Sequence, residues 1–367
     1  MKYIKELEGL RGIMALWVVA GHAFAALPLL SGKISPTLFN TKAVDVFIML
    51  SGFVIFFMLD NKKQSYHVYI MQRFFRIFPI YLVALIVSFF MLDYTMGVLS
   101  SAPIGAATDA RMGFINNYAD APVQNILSHL ILMQGLIPQS VISNSSFTII
   151  GQAWSISVEW QFYLIAPFIF ANVINIGKAY NSLCLVLISA LFVAVAPAMD
   201  KGFLGNNILC FSIGFLTFFF YRNIADKLSK TELNIIFVVY VILSIVIMKK
   251  NCFQFILWGA CFYFVILKSR FGVNSKLCSM LDSGVMSNLG KISYSIYMVH
   301  MAVIYVLMNY LLVGLNSVPM YLYVLFPTAC IILSVIISMV TYQYIEKPMI
   351  KFGKKLTSPK IPGMPIH

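Results

Sequence analysis

The chain has 367 residues, 60% of them hydrophobic and 11% charged, with a formal net charge of +13 and a mean hydropathy of +0.87. Soluble domains carry roughly 25% charged residues, and a water-facing surface cannot be built from less than half that share. These values exclude a soluble globule, assign the basic balance to charge asymmetry across a bilayer rather than to nucleic acid, and predict an all-α polytopic membrane protein.

In chain order, ten apolar segments are long enough to cross a bilayer: 10–30, 43–59, 77–92, 147–171, 180–198, 203–221, 233–248, 252–267, 289–313 and 320–344. The first lacks an A-x-A-like cleavage site, so it is expected to be retained rather than removed as a signal peptide. With ten crossings, 20 of the 26 Lys and Arg residues fall on the side of the N-terminus and six on the other. The positive-inside rule then places both termini in the cytoplasm. An eleventh crossing through 125–137 would invert the later spans and leave ten inside against sixteen outside. That segment is therefore read as re-entrant or interfacial. The six cysteines form no CxxC pair and lie in or beside apolar runs, as expected of small core hydrophobes rather than a disulfide or zinc framework. The chain divides into a membrane domain, 1–348, and a basic tail, 349–367, with Pro359, Pro362 and Pro365. The tail is expected to be solvated, partly disordered and drawn to anionic lipid.

Ionisable residues at bilayer depth cost several kcal/mol unless partnered or wetted, and few qualify here. His22 follows Arg11 by eleven residues, which is within about 20° of three full turns and a rise of about 16 Å. Both should face one side: either they look into one cavity with Arg11 at its cytoplasmic mouth, or His22 is a structural histidine bonded to a neighbouring helix and Arg11 an inner-end anchor. Glu159 lies in the hydrogen-bonding run Trp154 to Tyr163, and His300 stands nine residues past Lys291. Three helices thus bring an imidazole or a carboxylate to similar depth, which suits a buried site with a general base and a charge-balancing partner. Arg73 and Arg76 precede Pro79 at an inner helix end. They read either as anchors on the positive side or as a clamp for a phosphorylated ligand. His67, His129 and His367 lie in connections or the tail and are assigned no role.

The pattern Leu-Glu-Gly-Leu-Arg11-Gly-Ile-Met-Ala followed by His22 resembles the membrane-bound acyltransferase 3 family, whose first helix carries an Arg-x10-His signature. The resemblance continues through Val44-Asp45-Val-Phe-Ile-Met-Leu-Ser51-Gly52-Phe53, Arg73-x-x-Arg76, Trp154-Ser-Ile-Ser-Val-Glu159, Ser293-Tyr294-Ser-Ile-Tyr297-x-x-His300 and Tyr344-Ile-Glu346-Lys-Pro348. Six blocks in the family's order span residues 4–348. The resemblance implies a stand-alone form without the C-terminal esterase-like domain that many members carry. Trp160 stands where many members have a second glutamate, which puts a carboxylate pair in doubt.

What the resemblance implies is O-acylation, most often acetylation, of a sugar hydroxyl on a surface or exported glycan such as lipopolysaccharide or exopolysaccharide. Acetyl-CoA or another acyl-CoA would be the cytoplasmic donor, with no metal. His22, Glu159 and His300 are the expected catalytic set and Arg11, Arg73 and Arg76 the expected donor site. Asp45, Ser51, Trp154, Tyr163 and Tyr294 are the expected substrate contacts. Two roles are open for His22: deprotonating the acceptor hydroxyl, or taking the acyl group and passing it outward. The implied home is a bacterial cytoplasmic (inner) membrane, among lipids and a glycan or glycolipid acceptor. Two rival readings are a proton-coupled transporter, which would move substrate without a covalent product, and a catalytically silent component of a glycan export complex, which would tolerate His22→Ala.

Overall fold

The computed structural model describes residues 4–29, 37–175 and 177–358. Among the described residues fifteen α-helices follow one another: α1 (Glu6–Ala25), α2 (Thr37–Asn61), α3 (Tyr66–Phe90), α4 (Leu92–Ser101), α5 (Thr108–Asp120), α6 (Pro122–Leu130), α7 (Trp154–Ile174), α8 (Ala179–Val195), α9 (Ile208–Asn223), α10 (Lys230–Met248), α11 (Phe253–Phe271), α12 (Lys276–Leu281), α13 (Gly284–Leu311), α14 (Leu322–Thr341) and α15 (Lys347–Thr357). No strand occurs among the described residues. The ten expected segments each fall on one helix: α1, α2, α3, α7, α8, α9, α10, α11, α13 and α14. Eight stretches among the described residues are long and apolar enough to cross a membrane; α1 and α11 fall outside that set. α1 carries Glu6, Glu8, Arg11 and His22, and α11 carries Gln254, Lys268 and Arg270. With 20 and 19 residues they still measure about 30 Å, the thickness of the hydrocarbon core.

The polarity of α1 is tolerated because little of the helix meets lipid. It packs against α2, α13 and α14, and Ala15, Val18, Val19 and Ala23 are fully buried. Its crossing with α13 is close enough to require glycine. A Cβ on Gly290 would stand 2.1 Å from the carbonyl oxygen of Glu8, and one on Gly12 would stand 2.8 Å from the Cβ of Leu289. Small residues at such a crossing let two backbones touch, which is how helices gain packing energy where lipid removes the hydrophobic drive. At the periphery, α8 exposes Leu183, Val186, Leu187 and Leu191, and α10 exposes Ile235, Val238, Ile242 and Val246. Between ring and centre the phenylalanines interlock, with Phe56 stacked on Phe215 at 4.1 Å and Phe53 against Phe262 at 4.5 Å.

Contacts at the helix ends establish the alternation of direction. On the side where α1 begins, Lys268 bridges Glu6 at 2.6 Å and Asp282 at 2.9 Å, and Arg222 pairs with Asp60 at 3.0 Å. On the opposite side Lys42 donates to Asn251 at 2.7 Å, and the Tyr323 hydroxyl donates to the carbonyl of Pro28 at 3.1 Å. We call these the near and far sides.

Residues 91–153 fold over the far side. The segment 125–137 does not cross: α6 has nine residues, and the chain then reverses at Leu132 with φ 58°. The reversal is held by the Ser157 hydroxyl, which donates to the Leu132 carbonyl at 3.0 Å. Asp200 ties the cover down by accepting from the backbone N–H of Ser146 and Gly202 at 2.9 and 2.8 Å and from the Ser146 hydroxyl at 2.6 Å.

The tail differs from expectation. After a π-helical turn at Tyr342–Glu346, α15 continues to Thr357 and lies on α3, with Phe352 edge-on to Phe75 at 5.2 Å and Gln72 donating to Thr357 at 3.0 Å. Phe352 and Gly353 stand opposite Lys351, Lys354 and Lys355, so the first part of the tail, expected to be solvated, partly disordered and drawn to anionic lipid, is a helix packed on α3. Pro359, Pro362, Pro365 and His367 lie outside the described residues.

Candidate active site

Two cavities lie back to back between α1, α2, α3, α7 and α13. The near cavity, about 100 Å³, is lined by Arg11, Arg73 and Arg76 with Ser51, Glu159, Tyr163, Tyr294 and Tyr297. The far cavity, about 180 Å³, is lined by His22, Arg111 and Tyr305, with Phe114, Phe147 and Trp154 as an aromatic wall and Thr95, Thr148 and Gln152 as polar points. Arg11 and His22 therefore open into adjacent cavities, not the one shared space that their helical phase suggests. Phase fixes the face of α1; it does not reveal that α7 and α13 close across that face between the two residues.

The closure is a hydrogen-bonded pair. The Tyr297 hydroxyl donates to the Gln152 carbonyl at 2.8 Å, so at the 2.7 Å contact between Ser155 and Tyr297 the serine hydroxyl is the donor. Ser155 and Tyr297 face the near cavity, while Gln152 and Trp154, on the preceding turn, face the far one.

His300 and His22 meet at this boundary, their ring centroids 5.2 Å apart. His300 Nδ1 lies 2.8 Å from the Tyr297 carbonyl. A carbonyl only accepts, so in the neutral ring Nδ1 carries the proton and Nε2 keeps its lone pair. That Nε2 is buried with no hydrogen-bond partner among the described residues.

Glu159 is on the near side, apart from the imidazoles. Its Oε1 accepts from Ser51 at 2.9 Å and from the Tyr163 hydroxyl. Arg73 lies over the rings of Tyr163 and Tyr69 at 5.7 and 6.0 Å and donates to Met58 Sδ at 2.9 Å. Arg76 stands in the field of Glu159 and of Glu346. The π-helical turn carries Glu346 into the core, where Ser295 donates to it at 2.7 Å. Tyr294, through a 2.9 Å bond to the Ile77 carbonyl, joins α13 to α3. Three guanidinium groups against one lining carboxylate leave the near cavity cationic, as a polyphosphate site requires. Glu159→Gln keeps an oxygen acceptor for Ser51 and Tyr163 and is expected to melt like the wild type. Glu159→Leu strands both hydroxyls at a cost of about 1–3 kcal/mol. Thermal unfolding of the two proteins in detergent checks this, and equal destabilisation would mean that the charge, not the acceptor, is what the fold needs.

Asp45 lines neither cavity. It accepts from Gln254 at 3.0 Å at the far end of α2, near Lys201, whose ammonium stands 4.5 Å over the Trp154 ring. Burial pushes Lys201 below the usual lysine range, and Asp45 opposes the shift. Among the described residues no group of three His, Cys, Asp or Glu side chains is placed to hold a metal ion.

Sequence reasoning missed Arg111. It is buried, donates to the His22 carbonyl at 3.0 Å and lies 5.8 Å from the Tyr305 ring. One signal was available: Arg111 is the sole Lys or Arg between residues 93 and 146, on the side that basic residues avoid.

A family model described as an acyltransferase domain matches residues 4–343, a stretch that contains every side chain of both cavities. The chain belongs to the acyltransferase 3 family. Two relatives are similar to this acyltransferase. Acyltransferase MdmB of Streptomyces mycarofaciens is 28% identical over 173 residues, covering 45% of this chain and 38% of the relative. A Staphylococcus aureus (strain COL) protein named as an O-acetyltransferase is 23% identical over 390 residues, covering 97% of this chain and 58% of the relative. The chain thus spans well under two thirds of either relative's length. No solved structure matches.

Proposed function

We propose that this membrane acyltransferase moves an acyl group, acetyl in the first instance, from cytoplasmic acyl-CoA to a hydroxyl of a glycan or glycolipid on the far side of a bacterial cytoplasmic membrane. The reading rests on one arrangement: a cavity lined by three arginines and a cavity lined by His22, divided by the Tyr297 and Ser155 hydroxyls. The positive-inside count makes the near side cytoplasmic, with both termini there. Arg11, Arg73 and Arg76 receive the phosphates of the donor. The ~16 Å rise from Arg11 to His22 is comparable to an extended pantetheine arm, so the thioester reaches the boundary while the nucleotide stays behind. The aromatic wall of the far cavity offers flat faces to a sugar ring, and its amide and hydroxyl groups offer partners to sugar hydroxyls. Support for acetyl comes from the relative named as an O-acetyltransferase.

In the reaction, His22 takes the proton of the acceptor hydroxyl as its oxygen bonds to the thioester carbonyl carbon. The carbon–sulfur bond then breaks, and the proton passes to the departing thiolate, releasing ester and CoA. The lone pair of His300 Nε2 lies on the same boundary and steadies the proton while it is held.

Membranes containing the chain are supplied with radiolabelled acetyl-CoA. Label is expected in the glycan or lipid fraction, and Arg73→Gln/Arg76→Gln is expected to need about 100-fold more donor for the same rate, since two charge-assisted phosphate contacts are worth about 3 kcal/mol together. Absence of covalent label at any donor concentration, with labelled material crossing the membrane intact, would replace this reading with transport.

A further inference from the structure

Arg111 has no counter-ion among the described residues. It is 7% exposed, and of its two terminal nitrogens Nη2 donates to the His22 carbonyl at 3.0 Å. Nη1 is buried with no hydrogen-bond partner among the described residues. None of the far-cavity lining residues is an aspartate or glutamate, and Arg111 takes part in no ion pair among the described residues. Arginine does not shed its charge inside a protein, and a buried charge left unpaired costs several kcal/mol. A wholly structural role, tying α5 to α1, is met by the single bond from Nη2 and would be served at lower cost by a neutral glutamine. The guanidinium group that carries the remaining donor lines a cavity that also presents His22 and the aromatic wall.

We infer that Arg111 is the receptor for an anionic group on the acceptor: the far cavity selects a glycan or glycolipid bearing a carboxylate or phosphate near the hydroxyl to be acylated. The inference deepens, and rests on, the reading of the far cavity as the acceptor site. An Nη1–H pair to a carboxylate or phosphate oxygen restores charge balance only when acceptor is bound. It sets the acceptor against α1 beside His22, through the bond that Nη2 already makes to the same residue. Arg111 is in this sense a specificity residue and not the proton acceptor.

The test uses the full-length chain in detergent with saturating free CoA, so that Arg11, Arg73 and Arg76 are occupied. A glucuronate-terminated disaccharide and its methyl ester are titrated by calorimetry. The acid is expected to bind at least about tenfold more tightly than the ester. Arg111→Gln should abolish that difference, Arg111→Lys should keep part of it and show that the site still folds, and Arg73→Gln should leave it intact. Equal binding of acid and ester to the wild type, or an acid preference that survives Arg111→Gln, overturns the inference. Failure of acetyl transfer with the acid preference standing would remove the enzymatic reading and leave the anion site. Acetyl transfer with equal binding of acid and ester would do the reverse.

Discussion

His22→Ala is expected to lower the transfer rate by about 10²–10⁴-fold, the usual worth of a positioned general base, while free CoA binds as tightly as before. The split follows from the geometry. His22 lines the far cavity, and the arginines proposed to hold the donor's phosphates line the near one, so on that reading donor affinity and proton abstraction fall to different side chains. His300→Ala removes the neighbouring ring at 5.2 Å and should cost less, because it leaves the proton acceptor in place. Steady-state assays on both proteins, with CoA binding measured in parallel, check the pair. If His22→Ala kept a tenth of the activity, the base would have to be sought elsewhere on the boundary, beginning with His300. Acid-labile label retained on wild-type protein in the absence of acceptor would convert the mechanism to acyl relay through the imidazole.

Gly290→Ala is expected to destabilise the protein by about 1–3 kcal/mol, the usual cost of overpacking, and to reduce turnover beyond that loss. Alanine in place of glycine ordinarily strengthens a helix by about 1 kcal/mol. Here the new methyl would stand 2.1 Å from a backbone oxygen of α1, an atom that cannot rotate aside, so the helices must separate. Because α1 carries His22 and α13 carries His300, separation of the backbones also opens the imidazole pair ten residues further along. Gly97→Ala in α4 is the matched control: nothing lies within 4 Å of the added methyl, so stability should hold or rise. Thermal unfolding and turnover of both variants decide the matter; equal effects would remove the close crossing as the element that aligns the site.

The spans were legible because lipid contact demands apolar runs of fixed length, a demand that is relaxed in α1, which has little lipid to face. The family resemblance grouped Arg11 with Arg73 and Arg76, and these three line one cavity, whereas helical phase alone had grouped Arg11 with His22. What could not be read was how helices distant in sequence close on one another. Ser155 and Tyr297 look like ordinary polar residues in their own helices, yet their bond divides one expected cavity into two. Asp45 sits in a motif block beside Ser51, but six residues of helix turn it toward Gln254 and the far surface. Arg111 was counted only as a minor exception to a charge rule. Its burial depends on the folded cover of residues 91–153, where short helices and turns carry no strong periodic signal.

The hydroxyl pair between the cavities also bears on what the cell must keep apart. A transferase working across an energised membrane needs a path for two carbon atoms and none for ions. A boundary made of one tyrosine and one serine, each committed to a bond, can yield to a thin thioester arm and shut behind it without leaving a continuous file of water. On the proposed reading CoA would stay in the compartment that made it, the acceptor would stay outside that compartment, and the proton gradient would not be drained by the enzyme that lies across it.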